Sequence, residues 1–255
     1  MFRQGVLLAL CLLPLAAAGQ ARDQRLPGSA FMGADTQAMQ RDDTQNPAML
    51  WVKGGEMLWS QAAGDDGKSC ASCHGDARQS MKGVAARYPA FDAGSGVPVN
   101  LQQRINLCRS GQQKAPPWKL ESEDLLSLES YIALQSRGLP QASPADARLA
   151  PFAERGRARY AERMGQLNLS CAQCHDERWG KRLGSAPIPQ AHTGGYPIYR
   201  LEWQAVGSLQ RRLRNCMHGV RAQVYPLGSV ELVELELYLA RRGSGMAMEA
   251  PGVRP

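Results

Sequence analysis

Two copies of one five-residue pattern, Cys70-Ala-Ser-Cys73-His74 and Cys171-Ala-Gln-Cys174-His175, stand 101 residues apart in this 255-residue chain. Each C-x-x-C-H offers two thiols spaced to add across the two vinyl groups of one porphyrin, and a histidine placed to bind its iron from the proximal side. A thioredoxin-like reading of C-x-x-C needs a βαβ context that neither segment shows, and a zinc site needs further Cys or His at ligand spacing. The pair predicts two covalently bound heme c groups, with Cys70, Cys73, Cys171 and Cys174 holding the porphyrins and His74 and His175 as axial ligands.

The N-terminus agrees with this chemistry. Met1-Phe2-Arg3 leads into an apolar run, Val6 to Leu15, closed by small residues as far as Ala21, and residues 1–21 read as a secretory signal peptide. Cys11 lies inside it after Leu10, a residue too bulky for a lipoprotein cleavage site. The run falls short of the roughly 18 apolar residues a membrane-spanning helix needs, and no later stretch reaches that length. An exported, periplasmic protein without a membrane span is expected, and bacterial heme attachment takes place outside the cytoplasmic membrane. The formal net charge is +7, which suits a solvated surface or the steering of an anionic substrate or acidic partner. With aromatic residues at only 6% and no basic stripe interleaved with them, nucleic-acid binding is disfavoured.

The halves repeat beyond the motifs. Gly55, Trp59, Gly64 and Ser69 correspond to Gly156, Tyr160, Gly165 and Ser170 at an offset of 101, and Tyr88-Pro89-Ala90-Phe91 corresponds to Tyr196-Pro197-Ile198-Tyr199 at 108. The extra residues of the second copy fall among Pro187, Pro189, Gly194 and Gly195, a loop composition. Asp124 to Ala133 matches Glu231 to Ala240 at 107; in each, leucines and isoleucine three and four apart form a core-facing stripe (Leu125, Leu128, Ile132; Leu232, Leu235, Leu239). The fold expected is all-α: two tandem cytochrome c-like helical domains related by internal duplication. An extended N-terminal arm over 22–50 precedes domain 1 (51–142) and domain 2 (143–255), the break falling among Gly138, Pro140, Ser143 and Pro144.

Each iron also needs a distal ligand. Met81 is the only methionine between His74 and the first closing helix and stands seven residues past that histidine, too close to reach the opposite face. Leu101 to Cys108 and Leu209 to Cys216 both read Leu-Gln-x-Arg-x-x-x-Cys, and these are the two cysteines of seven left after Cys11 and the four in the motifs. A Cys108–Cys216 disulfide is the default for an exported chain. Equivalent places in two repeats favour the other reading, two His/Cys hemes with Cys108 and Cys216 as thiolate ligands. His192, Met217 and His218 lack counterparts in the first half. Arg211, Arg212, Arg214 and Arg221 crowd around Cys216, whereas only Arg104 and Arg109 flank Cys108; a spacing of four sets Arg212 on the helix face of Cys216.

Taken together, the paired C-x-x-C-H motifs, the Arg-x-x-x-Cys after each and the export signal resemble the SoxA family, the diheme subunits of SoxAX cytochromes of bacterial thiosulfate oxidation. With Cys70, Cys73, His74 and Cys108 present, the chain is similar to the diheme rather than the reduced type. The resemblance implies that Cys216 carries a persulfide and Arg212 binds substrate. It further implies an L-cysteine S-thiosulfotransferase that couples thiosulfate to a cysteine thiol of the carrier SoxYZ and passes two electrons to cytochrome c, with monoheme SoxX as partner. The competing function is a plain periplasmic diheme electron-transfer cytochrome c without a substrate site; the arginine asymmetry speaks against it.

Overall fold

In each half, two long helices cross where a glycine lets their backbones touch. The computed structural model describes residues 23–143 and 145–255; the segment read as a signal peptide, with Cys11, lies outside them. After a 3-10 turn come helices α1 (Ala34–Arg41), α2 (Ala48–Ser60), α3 (Cys70–His74) and α4 (Ala77–Ser80), the hairpin β1 (Ala90–Asp92) and β2 (Val97–Val99), then α5 (Leu101–Gln112) and α6 (Glu123–Leu134). The second half supplies α7 (Ala150–Ala161), α8 (Cys171–His175), the hairpin β3 (Arg182–Leu183) and β4 (Ala186–Pro187), strands β5 (Ile198–Arg200) and β6 (Ala205–Gly207), α9 (Leu209–Gly219), α10 (Val230–Arg242) and β7 (Gly252–Arg254).

Helix α2 buries Val52, Gly55 and Trp59 along one face, and α6 packs Leu125, Leu128 and Ile132 against it. A Cβ on Gly55 would stand 2.1 Å from the Ser127 carbonyl oxygen, so this crossing requires glycine. Helices α7 and α10 meet in the same way: a Cβ on Gly156 would lie 2.0 Å from the Glu234 carbonyl oxygen. Tyr160, Met217, Leu232, Leu235 and Leu239 form the core there. A further cluster joins Ala48 and Leu126 of the first half to Tyr199, Val206 and Val253 of the second.

The all-α expectation needs correction. The fold is helical and cytochrome c-like, but β1 and β2 pair antiparallel, as do β3 and β4, and a three-stranded sheet runs β6-β5-β7 with β7 parallel to β5. Strands of two or three residues are too short to display the alternation that marks a strand in sequence. The 22–50 arm is not wholly extended either. It folds into α1, where Asp35 in the first turn and Arg41 in the last complement the helix dipole, and it lies against the chain's end. The Val253 amide donates to Gln40 Oε1 (3.1 Å), and Asn46 Nδ2 donates to the Pro251 carbonyl (3.2 Å). The linker after α6 is tied to the same segment, Gly138 N donating to Met248 O and Gln141 N to Met246 O. Among the described residues, no helix is long and apolar enough to cross a membrane.

Candidate active site

Each C-x-x-C-H forms a single helical turn held by its own neighbours. Ser69 caps α3 by accepting from the Ser72 amide (3.1 Å), while Ser72 Oγ accepts from the Ser69 amide (3.1 Å). Ser170 and Gln173 form the same reciprocal box on α8. The residues between the two cysteines thus fix the turn that spaces the thiols. From the long helices, Trp59 donates its indole N–H to the Gly75 carbonyl (2.9 Å) and Tyr160 donates its hydroxyl proton to Asp176 Oδ1 (2.9 Å). His175 Nδ1 lies 2.7 Å from the Pro189 carbonyl oxygen. A carbonyl only accepts, so Nδ1 carries a proton and Nε2 is the nitrogen left to face a metal.

Cys108 on α5 and Cys216 on α9 form no disulfide. The disulfide alternative is therefore absent, and each thiol faces its own motif: Cys108 lies within electrostatic reach of Cys70 and Cys73, and Cys216 of Cys171 and His175. Burial pushes the Cys108 thiol up, and Arg104 offsets only part of this. Burial acts on Cys216 in the same sense, but the neighbouring His175 imidazole and the charges of Arg212 and Arg200 outweigh it, and its pKa falls below the ordinary thiol value.

The arginine environments add to the difference that His175 makes. Arg104 donates to Asp92 Oδ1 at 2.7 Å, so the first site's arginine is neutralised. At the 108 offset the counterpart of Asp92 is Arg200. Arg212 thus meets a second cation where Arg104 meets a carboxylate, and burial together with Arg212 lowers the pKa of Arg200. Arg200 is largely buried; it pairs with Glu202 at 2.6 Å, yet its Nε has no partner. Sequence reasoning missed this residue, although the Tyr-Pro alignment ends one position before it. Of the other arginines, Arg211 lies over the Trp203 ring (4.1 Å to the centroid), Arg214 is half-buried and Arg221 is exposed.

Met81 and Met217 are buried in the two cores and His218 is exposed. His192 lines a cavity of about 300 Å³ beside His175, where burial and the charges of Arg242 and Arg25 push its pKa down to about 4. Among the described residues, no three His, Cys, Asp or Glu side chains converge to hold a bare metal ion. Two thiols on one helical turn, the imidazole that ends the turn and a further thiol facing the motif form a donor set that fits heme c.

Residues 54–141 match the model of the "SoxA/TsdA, cytochrome c domain". The L-cysteine S-thiosulfotransferase subunit SoxA of Pseudaminobacter salicylatoxidans is 39% identical, the match covering 92% of this chain and 83% of that protein. The chain belongs to the SoxA family. The Rhodovulum sulfidophilum SoxA subunit is 36% identical, over 91% of this chain and 81% of its own. The fold extends the agreement: the crystal structure of SoxXA from P. pantotrophus matches with a TM-score of 0.87 at 35% identity, covering 91% of this chain and 87% of that one. A cytochrome c domain in a SoxA chain implies heme c.

Proposed function

We propose that this chain is a diheme SoxA subunit whose second site couples thiosulfate to a cysteine thiol of the carrier SoxYZ. The Asp92-to-Arg200 exchange carries this reading, because it turns one of two similar thiol sites into an anion-binding one. Cys70 and Cys73 would hold one heme c covalently, with His74 and Cys108 ligating its iron; Cys171 and Cys174 would hold the other, with His175 and Cys216 ligating its iron. The matching glycine crossings and capping boxes support an internal duplication with domains over 51–142 and 143–255, and residues 1–21 direct the chain to the periplasm.

When bound, heme c supplies an iron that accepts sulfur ligation and carries electrons away. The protein does the rest. Arg212, with Arg200 beside it, holds the dianion through paired guanidinium donors. Cys216, as a persulfide, presents sulfur to sulfur, and the Pro189 carbonyl keeps His175 in one orientation. In balance, the carrier thiol and thiosulfate join through a new S–S bond as an S-thiosulfonate. One proton leaves the thiol, and two electrons pass by way of the SoxX partner to cytochrome c. Incubating the SoxX complex with carrier and thiosulfate should reduce cytochrome c and leave the carrier heavier by one thiosulfate group in its mass spectrum. A plain electron carrier would leave the carrier mass unchanged.

A further inference from the structure

Glu129 of α6 and Glu236 of α10 hold corresponding places in the two closing helices, 107 residues apart. Each accepts from the glutamine of its own half's Leu-Gln-x-Arg segment: Gln102 Nε2 donates to Glu129 at 2.7 Å and Gln210 Nε2 to Glu236 at 3.2 Å. Glu236 also accepts from Asn100 Nδ2 (3.0 Å), the N-cap of α5 in the other half. Both carboxyls line one cavity of about 80 Å³ between the halves, with Tyr88 and Tyr196 and with Leu101 and Leu209 also in its wall. A third carboxyl, Glu121, accepts from Gln102 (3.5 Å) and from the Ser208 amide (3.4 Å) at the start of α9.

Among the described residues, the charged groups that act on the pair are carboxyls, with no arginine or lysine among them. Glu234, two residues from Glu236 and also buried, has Arg155 at 2.6 Å and Arg159 at 3.1 Å. Two ionised carboxylates lining one narrow cavity, Glu236 buried and Glu129 half-buried, with amide donors alone would lack the countercharge that burial demands. We propose that Glu129 and Glu236 are a proton-holding carboxyl pair that joins the two halves and positions the first turns of α5 and α9, the helices bearing Cys108 and Cys216. The pair acts through those helices, independently of the chemistry proposed at Cys216.

Burial and the neighbouring carboxylates push Glu129 up to about 8; burial and Glu121 push Glu236 up to about 7. Both folded values lie above the ordinary glutamate value of 4.5. Between about pH 4.5 and 8 the folded protein therefore holds protons that the unfolded chain has released, and stability falls as pH rises through that window.

The test uses the heme-loaded protein and the double variant Glu129→Gln/Glu236→Gln, whose amides keep the shape and cannot ionise. The melting temperature of the wild type should fall between about pH 5 and pH 9, and that of the double variant by less than half as much. In infrared spectra the wild type should show a protonated-carboxyl stretch at neutral pH that titrates away near pH 8 and is missing from the double variant. A double variant whose melting temperature tracks the wild type across pH would overturn the proposal. So would the absence of such a band from the wild type, a measurement that stands even if the double variant does not fold.

Discussion

One exchange, Asp92 in the first half for Arg200 in the second, separates two sites that otherwise share their cysteine, histidine and arginine. With Asp92 at 2.7 Å, Arg104 has no charge to spare for an anion, whereas Arg212 and Arg200 both act on Cys216. Replacing Arg200 by aspartate rebuilds the first site's pairing in the second. Arg200→Asp should lower kcat/KM for thiosulfate by about 10- to 100-fold, the range for losing hydrogen bonds to a charged group, whereas Arg104→Gln should stay within about twofold. Steady-state assays at constant ionic strength separate the two. The cysteines, histidines and Arg212 were all visible in the sequence, because each sits inside a repeated motif. Arg200 was not, because its meaning lies in the difference between two aligned positions and in a side-chain pairing that only the fold brings about.

The helices were the legible elements. Their stripes of apolar residues three and four apart, and the glycines at a common offset, reappear as the α2–α6 and α7–α10 crossings. The strands were not, since three residues cannot show a period, and α1 lies in a polar stretch whose helix is stabilised against β7 rather than by its own pattern. The crossings make a sharp prediction about glycine. Gly55→Ala and Gly156→Ala drive a methyl into backbone and should each destabilise by about 1–3 kcal/mol. Gly111→Ala, inside α5 with open space around its Cβ position, should stabilise by about 0.5–1 kcal/mol. Thermal unfolding of the three variants in parallel tests both signs.

At the scale of the whole molecule, two similar halves are bound into one unit by parts that do not repeat. The arm, the linker and the returning C-terminal strand all meet at residues 246–254, and Glu236 reaches the first half through Asn100. Periodicity and motif spacing exposed the halves but not these long-range ties, which rest on single hydrogen bonds between distant residues. An electrostatic asymmetry survives this symmetry: Arg104 at the first thiol is paired with Asp92, and the second site holds a thiol of lowered pKa beside two arginines. The central claim is that sulfur chemistry takes place at Cys216. Its most direct test is thiosulfate-dependent cytochrome c reduction, with SoxX and the carrier present, by Cys216→Ser protein that retains both hemes. The expected rate is indistinguishable from that without enzyme; reduction at the wild-type rate would contradict it.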